Sequence, residues 1–146
     1  MTNDKVILLV EDNQSDIELT KRALSRKNIL NELVVAEDGQ IALDYLYGTG
    51  DYSGRDISHL PSVILLDLKM PKVGGHEVLS RIRSDPRTKR IPVVILTSSQ
   101  EEDDLVASYD LGANSYIRKP IDFVHFVDTL AQLGLYWLIL NEPPPK

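Results

Sequence analysis

Five short runs of apolar residues recur along the chain, and longer stretches with helical spacing separate them. The runs occupy residues 5–10, 32–36, 62–66, 91–96 and 114–117. Most of them are continuous series of valine, isoleucine and leucine rather than alternating apolar and polar residues. Continuous hydrophobicity is typical of strands that are covered on both faces. The runs therefore predict a parallel sheet.

The stretches that separate and follow the runs predict helices. They occupy residues 15–28, 38–48, 76–86, 99–112 and 122–133. Ser15 with Glu18, and Ser99 with Glu102, stand at capping-box spacing, which predicts a helix start at each place. Short strands that alternate with helices predict a doubly wound α/β fold, with five strands in one parallel sheet and helices on both faces.

The length of 146 residues fits one domain, which we expect to span residues 1–140 and to be followed by a proline-rich tail at 141–146. One connection, residues 48–61, is unusually long and is rich in glycine, serine and aspartate. A passive surface insertion is the simpler interpretation of this segment. A loop that contacts a partner is the alternative.

Composition and charge argue against several classes of protein. The net charge of −6 differs from the broad basic surface of nucleic-acid binders. The absence of cysteine excludes disulfides and thiolate metal sites. No apolar run approaches the roughly 20 residues of a membrane-spanning helix, and the N-terminus lacks the pattern of a signal peptide. We therefore expect a cytoplasmic protein with neither nucleic acid nor a membrane as its partner.

Polar residues stand where four of the predicted strands end. They are Glu11 and Asp12 after the first run, Asp67 after the third, Thr97 after the fourth and Lys119 after the fifth. The carboxyl ends of parallel strands meet at one edge of a sheet, so these side chains are expected to converge. Polar residues end strands routinely, and an Asp or Thr at such a position alone would more simply cap the next helix. The joint pattern favours a functional site.

Clustered carboxylates repel one another unless one is protonated or a cation holds them together. Oxygen ligands favour a hard ion, and Mg²⁺ suits an open site. Asp67 is therefore a candidate phosphoryl acceptor, since an aspartate can act as the nucleophile in phosphoryl transfer. Glu11 and Asp12 are candidate metal-holding residues. Thr97 and Lys119 are candidates for binding the phosphoryl oxygens.

Four motifs together resemble the receiver domain of response regulators in two-component signalling. They are "VED" at 10–12, "LLDLKMPKVGG" at 65–75, "VVILTSS" at 93–99 and "GANSYIRKP" at 112–120. The resemblance implies a flavodoxin-like receiver fold, with the five-stranded parallel sheet in the order 2-1-3-4-5.

The resemblance also implies a metal site. Mg²⁺ would be held by Asp12, by Asp67 and by the backbone carbonyl of Lys69, with Glu11 acting through water. Mn²⁺ is a possible substitute. No enzymatic output of its own is implied, because the receiver catalyses only its own modification and the slow hydrolysis that reverses it.

The implied reaction moves a phosphoryl group from a histidine of a sensor histidine kinase onto Asp67. Thr97 would then swing toward the phosphoryl group, and Tyr116 would rotate inward behind it. The face made by the fourth helix, the fifth strand and the fifth helix would repack. This is a charge-driven switch between two arrangements.

Two further details follow from the resemblance. The peptide bond between Lys119 and Pro120 is implied to be cis. Lys69 and Ser99 occupy the positions that tune the phosphoryl lifetime in receivers. We expect Lys69 to lie over the phosphoryl group and hinder the attacking water, which predicts a moderate lifetime.

No output domain is recognisable after the fifth predicted helix, so a stand-alone receiver is expected, with a protein contact as its output. The 48–61 loop and the ending "LYWLILNEPPP" resemble the small regulators that pair with phytochrome-type histidine kinases. The apolar residues near the C-terminus are too many for one face of a helix to bury against the core. This predicts an exposed partner or homodimer surface there. We expect that surface to be continuous with the face made by the fourth helix, fifth strand and fifth helix. The candidate interface residues are Leu135, Tyr136, Trp137, Leu138 and Ile139. The alternative is a segment that folds back onto its own domain.

Two other functions remain open at this point. One is a degenerate receiver that binds partners without being phosphorylated. The other is a Mg²⁺-dependent phosphatase of the haloacid-dehalogenase type with an aspartyl nucleophile. The phosphatase is less favoured, because it normally has an acid–base aspartate at the position of Lys69.

Overall fold

The sheet of the protein is five-stranded and entirely parallel. The computed structural model describes residues 5–26, 31–70, 72–97, 101–118 and 128. The strands are β1 (Val6–Val10), β2 (Glu32–Ala36), β3 (Val63–Leu66), β4 (Val93–Thr97) and β5 (Ser115–Arg118). Their order is β2-β1-β3-β4-β5. The predicted parallel sheet and its strand order are confirmed.

The boundaries of β4 differ slightly from the predicted run. The strand begins at Val93 rather than at Ile91, and it extends to include Thr97. Pro92 has no N–H group to donate to a neighbouring strand, although its carbonyl accepts from the Ile64 N–H at 2.9 Å. The regular ladder therefore starts after the proline.

Within the described ranges, four α-helices and one short 3₁₀ turn lie between the strands. They are α1 (Gln14–Arg26), α2 (Gly39–Tyr47), the 3₁₀ turn Gly50–Tyr52, α3 (Gly75–Ser84) and α4 (Glu102–Asp110). The predicted fifth helix, at 122–133, lies outside the described residues apart from Asp128. None of the described helices combines the length and the hydropathy that crossing a bilayer requires.

Helices cover both faces of the sheet, as predicted. Leu8 and Val10 of β1 belong to one buried cluster, which includes residues of α2 and α3. Ile7 and Leu9 of the same strand belong to a second cluster, which includes residues of α1. Neighbouring side chains in a strand point to opposite faces, so a strand between two apolar layers must be apolar throughout. This explains why every residue of β1 is buried.

The cap of α1 differs from the sequence prediction. The Asn13 side chain accepts a hydrogen bond from the Asp16 N–H at 3.0 Å, so Asn13 rather than Ser15 caps α1. The predicted Ser15–Glu18 capping box is therefore wrong. Ser99 of the second predicted box lies outside the described residues, and α4 follows Glu101.

The long connection after α2 is folded against that helix. The Arg55 Nε–H donates to the Tyr45 carbonyl at 2.6 Å, and the Arg55 guanidinium lies 4.0 Å from the centre of the Tyr45 ring. The Tyr52 ring packs edge-on against the same ring at 5.1 Å. These contacts hold the connection in place. Whether it contacts a partner stays a prediction.

Candidate functional site

Three carboxylates meet at the carboxyl edge of the sheet. Glu11, Asp12 and Asp67 each offer an oxygen atom, and these atoms lie within 4.8 Å of one another. Glu11 and Asp67 are only 2% and 6% exposed, whereas Asp12 is exposed. Carboxylates this close and this buried repel each other when ionised, and a divalent cation relieves the repulsion. The donor set therefore fits a hard cation on an open edge.

The sheet itself fixes the backbone beneath these carboxylates. The Glu11 N–H donates to the Ala36 carbonyl at 2.9 Å, which continues the pairing of β1 with β2 by one residue. The Asp67 N–H donates to the Val10 carbonyl at 3.0 Å, which continues the pairing of β3 with β1. Both acidic residues thus extend rigid strands, and their spacing does not depend on a flexible loop.

Backbone N–H groups of the following loops contact two of the carboxylates. The Asn13 N–H donates to Glu11 Oε2 at 3.3 Å, and the Lys69 N–H donates to Asp67 Oδ1 at 3.3 Å. A carboxylate has about four lone-pair directions, so one such bond is compatible with metal coordination. The Lys69 N–H therefore lies next to the Asp67 carboxylate, and the role of the Lys69 carbonyl as a metal ligand stays a prediction.

The loop between β3 and α3 runs so close to Asp67 that only glycine fits at one position. A Cβ atom on Gly75 would lie 2.5 Å from the Asp67 carbonyl oxygen and 2.6 Å from the Leu68 Cα. The Gly75 N–H donates to the Leu68 carbonyl at 3.1 Å. The glycine therefore lets α3 begin directly against the backbone of the central aspartate.

An ion pair and a close backbone contact join this loop to the start of α2. The Lys72 ammonium lies 3.6 Å from Asp38 Oδ2, and Lys72 adopts a positive φ of 65°. A Cβ atom on Gly39 would clash with the Val73 carbonyl oxygen. Asp38 also caps α2, accepting from the Ile41 N–H at 2.8 Å. The loop is thus held from both sides.

Thr97 and Tyr116 lie on the neighbouring strands β4 and β5. Thr97 ends β4 and is fully buried. Tyr116 pairs with Ile95 and packs against the apolar cluster that contains α2 and α3. The Tyr116 hydroxyl oxygen is itself buried. Four other residues of the motifs lie outside the described residues. They are Ser98, Ser99, Lys119 and Pro120. The same holds for the candidate interface residues 135–139.

Sequence reasoning missed two acidic residues that contact the loop after β3. One is Asp38, and its position before a glycine at the start of a helical pattern is a signal for a cap. The other is Asp104, whose Oδ2 lies 3.4 Å from the Lys69 ammonium. Nothing local marks Asp104, because it lies on α4, far along the chain from Lys69. The tertiary fold alone brings this pair together.

Comparison with known proteins finds several similar response regulators. The curated response regulator Rcp1 of Synechocystis sp. is 42% identical over 134 residues, which cover 92% of this chain and 89% of Rcp1. The crystal structure of Rcp1 in its Mn²⁺-bound form has a TM-score of 0.85 at 40% identity, covering 97% of this chain and 99% of that one.

Two further solved structures are similar. The phosphorylated cyanobacterial phytochrome response regulator RcpA has a TM-score of 0.86 at 42% identity, covering 97% of this chain and 99% of that one. The bacteriophytochrome response regulator RtBRR has a TM-score of 0.79 at 55% identity, covering 97% of this chain and 85% of that one.

A family-level comparison agrees with these likenesses. The model of the response regulator receiver domain matches residues 7–131, which is most of the chain. The matched region contains the three clustered carboxylates and the threonine and tyrosine of the neighbouring strands. The protein is therefore a member of the response regulator receiver domain family of two-component signalling.

Proposed function

We propose that this receiver accepts a phosphoryl group on Asp67 from a phosphohistidine of a sensor histidine kinase. The observation that carries the proposal is the cluster of Glu11, Asp12 and Asp67, whose oxygen atoms lie within 4.8 Å at the ends of β1 and β3. An Asp67 carboxylate oxygen attacks phosphorus, the P–O bond forms and the P–N bond to the imidazole breaks. The leaving imidazole takes up a proton, and the product is an aspartyl phosphate.

The metal in this proposal is Mg²⁺, with Mn²⁺ as a substitute. Asp12, Asp67 and the Lys69 carbonyl would hold it, and Glu11 would act through a water molecule. When bound, the ion neutralises charge on the transferring oxygens. The acidic cluster supports a divalent ion, and so does the Mn²⁺-bound form of the relative Rcp1.

The remaining residues respond to the modified aspartate. The Thr97 hydroxyl donates a hydrogen bond to a phosphoryl oxygen, and the Lys119 ammonium pairs with another. Tyr116 follows Thr97 inward. The Tyr116 hydroxyl is already buried in the unphosphorylated structure, so in this proposal phosphorylation stabilises an inward position that the side chain can occupy. The aspartyl phosphate adds negative charge at one edge of the sheet, and the neighbouring strands repack in response.

The output in this proposal is a contact with another protein rather than an enzymatic reaction. Val106 and Tyr109 of α4 are exposed large apolar side chains, which supports α4 as part of the contact surface. From their sequence pattern, residues 135–139 are expected to contribute to the same contact, and a homodimer is one use of it. The likeness to RcpA, Rcp1 and RtBRR supports a phytochrome-type kinase as the partner.

The proposal is tested by incubating the protein with a small acyl-phosphate donor and Mg²⁺. Intact-mass analysis should show one added phosphoryl group, and Asp67→Asn should gain none. Asp51→Asn is the control, because Asp51 is exposed in the connection after α2. No mass gain in the metal-loaded wild-type protein would favour the degenerate receiver. Steady turnover of phosphate monoesters would favour the aspartyl phosphatase.

A further inference from the structure

The side chain of Lys69 is held by an acidic residue of α4. The Lys69 ammonium lies 3.4 Å from Asp104 Oδ2, although the Lys69 N–H donates to Asp67 Oδ1 at 3.3 Å. The backbone of Lys69 therefore contacts the proposed phosphoryl acceptor while its charge is directed to another element. The Lys69 side chain is 57% exposed and the Asp104 side chain only 17%. Of the two partners, the lysine has the greater freedom to move.

Asp104 is fixed to the body of the domain through its own backbone. The Ser108 hydroxyl donates to the Asp104 carbonyl oxygen at 2.8 Å, and Ser108 is fully buried. His76 Nε2, on α3, lies 3.3 Å from the same carbonyl oxygen and 3.0 Å from Ser108 Oγ. These contacts tie the first turns of α4 to α3. Asp104 thus presents a carboxylate at a defined place beside the loop that follows β3.

We infer that Asp104 is a positioning residue that holds the Lys69 ammonium away from the phosphoryl group and so sets the lifetime of the aspartyl phosphate. This inference rests on the proposed function. An aspartyl phosphate carries a charge of about −1.5 to −2 near neutral pH, in place of the single negative charge of the free carboxylate. Lys69 then has two competing anionic partners, the Asp104 carboxylate and the phosphoryl oxygens. The fraction of time that Lys69 spends over the phosphoryl group depends on both.

Removing the charge of the Asp104 carboxylate shifts this competition toward the phosphoryl oxygens. In Asp104→Asn the charge of the α4 partner is lost, and Lys69 moves toward the phosphoryl group. There its ammonium pairs with the phosphoryl oxygens, and its side chain occupies the path of the attacking water. A partly exposed ion pair such as Lys69–Asp104 contributes about 0.4 to 1 kcal/mol. Losing it should therefore lengthen the lifetime of the aspartyl phosphate about two- to fivefold. By linkage, phosphorylation also weakens the contact of Lys69 with α4.

The test compares the decay of the aspartyl phosphate in several full-length variants. Each protein is loaded with a small acyl-phosphate donor and Mg²⁺, the donor is removed, and the phosphorylated fraction is followed by intact mass. Asp104→Asn should lengthen the lifetime about two- to fivefold. Asp104→Glu keeps the charge and should restore a lifetime close to that of the wild type. Asp103→Asn is the matched control, because the neighbouring Asp103 is exposed.

A second background separates positioning from a general structural effect. When Lys69 is replaced by glutamine, adding Asp104→Asn should change the lifetime no further. An unchanged lifetime in Asp104→Asn, or an extension that persists without Lys69, overturns the inference. If the wild-type protein gains no phosphoryl group at all, the proposed function fails instead, which is a different result.

Hydrogen exchange covers the case in which Asp104→Asn does not fold. Without phosphorylation, the amides of α4 (Glu102–Asp110) should exchange faster in Lys69→Gln than in the wild type. Phosphorylation of the wild-type protein should speed the same amides. If α4 is equally protected in all three samples, Lys69 is not held by Asp104, and the inference is wrong.

Discussion

At the scale of single residues, the site consists of acidic side chains whose mutual repulsion destabilises the folded state. A bound cation or a phosphoryl transfer would relieve this repulsion. Asp67 and Glu11 are almost fully buried beside the exposed Asp12. Their identity could be predicted from sequence, because each follows an apolar run that had to be a buried strand. The partner of Lys69 could not be predicted, since Asp104 carries no local signal and only the packing of α4 brings it near.

Repulsion within the acidic cluster should be measurable without metal. In the presence of a chelator, Asp67→Asn should stabilise the protein, because it removes one of three charges that lie within 4.8 Å. A gain of about 1 kcal/mol follows from two unit charges at about 4 Å in a water-like dielectric. Urea unfolding measures it, with Asp51→Asn as the exposed control. A loss of stability in Asp67→Asn would show that the carboxylates are held by other interactions.

The two glycines before and at the start of α3 make a matched pair. A Cβ on Gly75 would lie 2.5 Å from the Asp67 carbonyl oxygen, whereas a Cβ on Gly74 would meet only the Leu68 carbonyl oxygen at 3.9 Å. Gly75→Ala should therefore destabilise the protein by about 1–3 kcal/mol. Gly74→Ala should have much less effect. Equal unfolding free energies of the two variants would contradict the close approach of α3 to Asp67.

At the scale of elements, an arginine of α3 joins the ends of several segments. The Arg83 guanidinium donates to the Gly112 carbonyl at 2.8 and 3.0 Å and to the Ile91 carbonyl at 2.7 Å. It also donates to Asn114 Oδ1 at 3.0 Å, and Asn114 in turn accepts from the Val93 N–H. Burial lowers the pKa of Arg83 from its usual value. The sequence predicted that Arg83 lies on a helix. It could not predict the hydrogen-bond partners of Arg83, because they lie in other segments of the chain.

Replacing this arginine should loosen the connections that lead into β4 and β5. Arg83→Met should destabilise the protein by about 2–4 kcal/mol, because it leaves several carbonyl groups without their charged donor. Arg81→Met is the control, since the Arg81 side chain is exposed and pairs with Glu77 of the same helix at 3.7 Å. That variant should stay within about 0.5 kcal/mol of the wild type. Similar thermal unfolding of the two variants would exclude a joining role for Arg83.

At the scale of the whole molecule, one sheet edge collects residues from distant parts of the sequence. Continuous apolar runs predicted the parallel sheet, because a strand that is buried on both faces is apolar at every position. The start of α1 was mispredicted, since Asn13 competes with Ser15 for the cap and the strand end favours the earlier residue. A divalent cation bound at this edge would link the two scales, because binding to the folded state alone stabilises the whole domain.

Binding of a divalent cation should raise the stability of the whole domain. By mass action, Mg²⁺ at a hundred times its dissociation constant adds about 2.7 kcal/mol to the free energy of unfolding. Asp12→Asn should lose most of this increase, and in chelator it should be slightly more stable than the wild type, because it removes one charge of the acidic cluster. Thermal scans across a Mg²⁺ series measure both. An equal Mg²⁺ response in the two proteins would place the cation elsewhere.

The central claim concerns one carboxylate, and chemical trapping tests it most directly. An aspartyl phosphate is an acyl phosphate, and borohydride reduces it to homoserine, which peptide mass mapping locates in the sequence. After treatment with a small acyl-phosphate donor and Mg²⁺, we predict homoserine at position 67 and at no other aspartate. Homoserine at a different position, or none in a protein that has gained a phosphoryl group, would contradict the assignment of Asp67 as the acceptor.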